Sequence, residues 1–191
     1  GGNVAVGYTA IEDNTTGTEN TAMGSYALND NTSGSGNVAI GRESLANNQT
    51  ASDNVAVGKI AMYTNTTGNS NTAVGTQALR LNTTAGQNVA VGYYALKSNT
   101  AAQNTAVGYQ TLHNNTTGGL NTAIGRMALY HNTTGQMNVA VGYNSMYLSN
   151  VDGYNTAVGA NSLSSNTSGG SNVAIGYRSL AANTTAASNT G

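Results

Sequence analysis

The sequence predicts an all-β fold: a repeat β-solenoid, a parallel β-roll of about eleven 17-residue coils, with residues 1–191 forming one repeat domain. Three observations predict it. The phrase N-[V/T]-A-[V/I/M]-G opens at Asn3, Asn20, Asn37, Asn54, Asn71, Asn88, Asn104, Asn121, Asn138, Asn155 and Asn172, always 17 residues apart except for 16 between Asn88 and Asn104. A Leu, Ile or Met stands eight residues after each of these Asn residues, from Ile11 and Leu28 to Leu180. Most copies then close on N-T-[T/S]-[G/A], as at 65–68 and 132–135. A short fixed period means stacked units, none of which buries its apolar face alone. Seventeen residues are too few for a helix pair and suit one coil of β-structure.

With the opening Asn as column 0, columns 1 to 3 are a short β-branched run, which favours a strand. Side chains alternate along a strand, so columns 1 and 3 share a face and the unvarying Ala of column 2 points away from it. The Val and Ile of column 3 predict a core, facing the Leu of column 8. The Ala column (Ala5, Ala22, Ala39, Ala56, Ala73, Ala90, Ala106, Ala123, Ala140, Ala157 and Ala174) then predicts an oligomer interface. The Gly of column 4 ends the strand. The NTTG phrase of columns 11 to 14 has the residue order of a type I turn, its Asn able to bond the backbone ahead. Two copies edit that turn: the coil with Asn99-Thr100-Ala101-Ala102 is one residue short, and Ser149-Asn150-Val151-Asp152 abandons the phrase. The strand columns carry no such edit.

Stacked strands lie ~4.8 Å apart, so the coils predict a rod roughly 50 Å long. Two or three apolar side chains per coil are little against the entropy of ordering seventeen residues. Self-association is therefore expected.

Only 7% of residues are charged, six Lys and Arg against seven Asp and Glu, which argues against nucleic acid as a partner. Cys is absent, which excludes disulfides and thiolate metal sites. No apolar run approaches the ~20 residues of a membrane span, so this segment is not expected to insert in a membrane. The chain opens and closes within a phrase and reads as a piece of a longer fibrous protein.

The phrase N-[V/T]-A-[V/I]-G-x-x-[A/S]-L resembles the head repeats of YadA-like trimeric autotransporter adhesins. It also resembles the NTAVGYQAL-type repeats of phage tail fibres and of surface proteins carrying endosialidase-type chaperone domains. Asn104-Thr105-Ala106-Val107-Gly108-Tyr109-Gln110-Thr111-Leu112 is nearly verbatim for the second group. The resemblance implies a left-handed roll, three chains side by side, and a place in an extracellular, cell-surface or virion fibre that contacts a surface. These repeats are longer than the YadA-like ones, chiefly through the NTTG phrase.

Chemistry is sparse. No Asp recurs as a calcium-binding ladder, no nucleophile–base order is readable, and no enzyme, cofactor or metal is expected. His113 and His131, at columns 9 and 10, are expected to face opposite ways. Nine copies carry N-x-[S/T] at column 11, at Asn14, Asn31, Asn48, Asn65, Asn82, Asn115, Asn132, Asn166 and Asn183; turn chemistry explains these letters, and glycosylation acceptors are the alternative reading. The copies differ most at columns 5, 6, 9 and 10. There Tyr8, Arg42, Lys59, Tyr93, Tyr109, Arg126, Tyr143 and Tyr177 at column 5, with Tyr63, Arg80, Lys97, His113, Tyr130 and Tyr147 at column 9, read as candidate contacts for a host-surface protein or glycan or as an ordinary solvated exterior with Tyr packing across coils. The expected function is a structural and adhesive fibre segment. The alternative is ice binding by stacked Thr at columns 12 and 13, weakened by the expectation that adjacent residues face opposite ways.

Overall fold

The computed structural model describes residues 1–150 and 152–191; Val151 of the edited turn lies outside them. Eleven three-residue strands run from β1 (Val4–Val6) to β11 (Val173–Ile175) and form one parallel sheet in chain order. Among the described residues there is no helix. Pairing is in register throughout, with Ala56 opposite Ala73 and Ala73 opposite Ala90. The chain is a β-solenoid. The missing residue between Asn88 and Asn104 leaves the strands undisturbed, since Val89 still pairs with Thr105. The gap is absorbed in the turn, as expected of a loop edit.

Each strand stops at its column 4 Gly. Gly75 has φ 133°, and a Cβ there would lie 2.6 Å from the carbonyl oxygen of Gly92 in the next coil. Both the backbone conformation and the close approach of stacked coils therefore require Gly. Hydrogen bonds between coils continue well outside the strands. The N–H of Leu28 donates to the Ser44 carbonyl at 3.0 Å, and the N–H groups of Thr15 and Thr16 share the Thr32 carbonyl at 2.9 and 3.0 Å.

The facing of the strand reverses the expectation. The Ala of column 2 points into the coil, and Ala22 through Ala174 are fully buried, while Ala5 is exposed in the first coil. Columns 1 and 3 face outward: Met23 is 44% exposed, Ile124 42% and Ile175 64%. The Ala ladder packs instead with columns 7 and 8, where Ala27 and Leu28, Ala78 and Leu79, and Ala95 and Leu96 are all fully buried. The cause is backbone conformation. Columns 6 and 8 are left-handed in every coil, as in Tyr26 (φ 58°) and Leu28 (φ 52°). These residues break the alternation of a strand, so two consecutive side chains turn inward. The coil is narrow, and a Leu reaching across it leaves room for only a methyl group opposite. An Ala buried in its own coil offers no surface to a second chain, so the interface assigned to the Ala column is corrected.

A third left-handed position, column 16, includes Glu19 (φ 60°) and Asp53 (φ 59°), with Gly36 there in one coil. Non-glycine residues in this region cost of order 1–3 kcal/mol each and persist where their surroundings over-determine them. Here the determinant is the stack itself. Leu79, at φ 53°, is fully buried and its N–H donates to the Ala95 carbonyl of the next coil at 2.9 Å.

Candidate ligand-contact surface

Two columns of Asn hold the coil interior together. At column 0, Asn71 donates its backbone N–H to Asn54 Oδ1 at 2.9 Å, while its Nδ2 donates to the Ala85 carbonyl at 3.0 Å. Its own Oδ1 accepts the N–H of Asn88 at 2.9 Å. At column 11, Asn48 Nδ2 donates to Asn31 Oδ1 at 2.7 Å and to the Ala51 carbonyl three residues ahead at 3.0 Å. This forward bond is the one the turn sequence predicted. The two ladders converge on the carbonyl of column 14, so the corner of each coil is closed by side chains.

These contacts correct the glycosylation reading. Asn31, Asn48, Asn65, Asn82, Asn115, Asn132 and Asn166 are fully buried, and their Nδ2 groups are engaged inside the stack. Only Asn14 and Asn183, in the outermost coils, are partly exposed. A glycan has no path to the buried seven in the folded chain. The letters N-T-T serve turn and ladder.

The threonines of columns 12 and 13 lie in a bend, not a strand, and both columns stay near the surface. The strand alternation behind the expectation that they face opposite ways does not apply in a bend. Column 12 hydroxyls are instead engaged between coils: Thr32 Oγ1 donates to the Gln49 carbonyl at 2.8 Å and Thr116 Oγ1 to the Thr133 carbonyl at 2.9 Å.

Of the candidate contact residues, the structure gathers one subset and scatters the rest. Tyr93 and Tyr109 stack, with centroids 5.5 Å apart and planes 12° apart. The Arg126 guanidinium follows, 5.7 Å from the Tyr109 ring and 5.4 Å from the Tyr143 ring. In the parallel column, His113 stacks on Tyr130 at 5.2 Å and Tyr130 on Tyr147 at 5.5 Å. Tyr94 joins the two columns, 4.0 Å from Tyr93 and 5.7 Å from His113, with Lys97 Nζ 4.9 Å from its ring. Tyr8 pairs only with Tyr26 near the first coil. Arg42 is bound to Glu43 at 2.6 Å. Tyr63 and Tyr177 make no aromatic contact among the described residues.

Tyr94 and His131 were missing from the sequence-based set. His131 lies edge-on to Tyr130 at 4.8 Å and to Tyr147 at 5.0 Å. Both histidines therefore adjoin Tyr130, against the expectation that they face apart. Column 6 is left-handed, so Tyr94 does not turn inward after Tyr93 as a strand residue would. The doublet Tyr93-Tyr94 was the available signal.

The electrostatics of the patch follow from its packing. Burial lowers the His113 pKa below its ordinary value, helped by the charges of Lys97 and His131 and opposed by the bond its Nδ1–H donates to Asn114 Oδ1 at 2.9 Å. Tyr93 is held above the usual phenol value, first by a side-chain hydrogen bond with Tyr94, then by desolvation and the neighbouring phenols. Comparison with known proteins returned no matching family model, no matching curated protein and no matching solved structure.

Proposed function

We propose that this chain is a rigid, non-catalytic segment of an extracellular, cell-surface or virion fibre, assembled as a homotrimer, with its aromatic columns turned toward a host surface or glycan. The observation that carries this reading is the outward sheet face. Columns 1 and 3 present Val, Ile, Met and Thr along all eleven strands, with Val4, Val6, Met23, Ile40, Val89, Ile124, Val139, Val158, Val173 and Ile175 each more than a third exposed. An apolar strip roughly 50 Å long is more than a solitary soluble rod ordinarily leaves to water. Packing with copies of itself covers the strip and removes its aggregation hazard. Three chains is the number implied by the resemblance of the repeats to trimeric fibre sequences.

Sedimentation equilibrium together with small-angle scattering tests the reading. Three chains in one elongated particle is the expected result, and Val74→Lys with Val107→Lys should reduce the mass to that of one chain. A compact particle, or a wild-type monomer at about 100 μM, counts against it.

A further inference from the structure

We infer that one side of the rod, across the fourth to ninth coils, is a binding surface for a linear acidic polysaccharide. The inference rests on the reading of the chain as an exposed rod and adds the chemistry of what it meets.

Charge and rings coincide in this stretch. From residue 54 to 151 the chain contains no Asp or Glu at all, but it contains Lys59, Arg80, Lys97 and Arg126. All four stand in columns 5 and 9, the columns that carry the ring ladders. The acids are elsewhere: Glu12, Asp13, Glu19, Asp30, Glu43 and Asp53 precede this stretch, and Asp152 follows it. The one ion pair among the described residues, Arg42 with Glu43, also lies outside it. These cations thus have no carboxylate partner, and the nearly neutral whole conceals a positive middle.

Geometry names the polymer. Tyr93, Tyr109 and Tyr143 are 41%, 43% and 45% exposed, the first two held by stacking on each other and Tyr143 by the Arg126 guanidinium, and all three keep surface free. Tyr93 and Tyr109 are 5.5 Å apart, as are Tyr130 and Tyr147, and His113 is 5.2 Å from Tyr130, steps comparable with one sugar ring in an extended chain. The stacked rings occupy one another's faces, so their phenol and imidazole groups, with the amides beside them, are what suits sugar hydroxyls. A stripe with one repeat per coil fits a linear ligand with a repeat of its own better than a compact one.

The cation density separates glycan from duplex nucleic acid, and oligo-dT tests a single strand, which rings beside cations would also suit. Four cations over roughly 20 Å is sparse beside a duplex, which carries a charge about every 1.7 Å. It matches polymers bearing one acid group on each sugar or each second sugar. Carboxylate and sulfate are equally served by Lys and Arg, and the probes below distinguish them.

Isothermal calorimetry at low salt with heparin, polygalacturonate, neutral dextran and oligo-dT tests the surface. Heparin or polygalacturonate should bind, and whichever binds tighter identifies the acid group. Lys97→Gln combined with Arg126→Gln should weaken binding roughly tenfold, as should Tyr109→Ala with Tyr143→Ala. Arg42→Gln, outside the stripe, should change nothing. Affinity should also fall with added salt. All substitutions are at the surface, and an unchanged circular dichroism spectrum confirms folding. Failure of both acidic polymers to bind, equal binding of dextran, tighter binding of oligo-dT, or indifference to both double substitutions overturns the proposal. Sedimentation reads the rod separately, so loss of the glycan surface and loss of the fibre reading are told apart.

Discussion

Asn71 takes its place in the stack through Asn54: the Asn71 backbone N–H donates to Asn54 Oδ1 at 2.9 Å, one coil away, and Asn88 repeats the relation on Asn71 at the same distance. Truncating Asn71 to Ala strands the Asn88 N–H in the interior and removes one of the two donors to the Ala85 carbonyl, which keeps its bond from Asn82 Nδ2 at 2.9 Å. At about 1–3 kcal/mol for the unsatisfied group and about 0.5–1.5 kcal/mol for the lost bond, the expected loss is about 1.5–4.5 kcal/mol, read from urea unfolding. Asn71→Asp keeps the acceptor but sets a carboxylate against Asn54 Oδ1 and the Ala85 carbonyl, 3.2 and 3.0 Å from the present donor. It should be worse than Ala at neutral pH and recover partly in acid, where the protonated carboxyl can donate.

The second ladder is broken where the sequence departs from its phrase. Ser149 replaces the column 11 Asn, and the buried Asn132 Oδ1 and Ser149 Oγ have no partner among the described residues. Ser149→Asn restores a donor to Asn132 and should raise stability by about 0.5–1.5 kcal/mol. A lower urea midpoint for this variant would show that the altered turn cannot take the ladder geometry.

Ala90 and Val91 test the reversed facing. Ala90→Val adds bulk inside a narrow coil and should cost about 1–3 kcal/mol. Val91→Thr changes a half-exposed outward position and should cost less than about 1 kcal/mol. The opposite ranking in thermal unfolding would return the core to the Val column.

His113 makes stability depend on pH. Its pKa is lowered in the folded chain by burial, with Lys97 and His131 adding to the effect, so the unfolded chain holds more protons between the lowered value and the ordinary one of about 6.5. Its contribution is complete above about 6.5 and declines as pH falls through that window. His113→Gln should flatten the slope. The wild-type-minus-variant difference in urea midpoint between pH 7.5 and pH 5.0 checks this, because the carboxylates are common to both proteins.

The period, the strands, the Gly stops and the tolerance of the turns were all legible in the letters, because each depends on spacing or on a residue with special backbone freedom. The facing was not. Alternation says that Ala90 and Val91 point apart, but only the left-handed conformation of Tyr94 and Leu96 decides which of them points in, and nothing in a Tyr or a Leu announces it. The Asn columns were legible as repeats and misread in part: an Asn held at the same place in coil after coil fits a buried ladder better than a surface acceptor of sugar. The aromatic patch was half visible. Tyr109 and Tyr143 stood in one column, but their link to Tyr130 passes through Arg126, Tyr94 and His113, which only stacking brings together.

In-register stacking has a consequence for how such a chain can change. The regular coils present matching donors and acceptors to their neighbours, with N–H groups turned toward the preceding coil at column 0 and toward the following one at columns 12 and 13. One coil can therefore be removed or duplicated as a unit, and the two cut surfaces still match. Length becomes a graduated scale, read in steps of ~4.8 Å, on which the ring-bearing coils can be moved nearer or farther without redesigning a single joint.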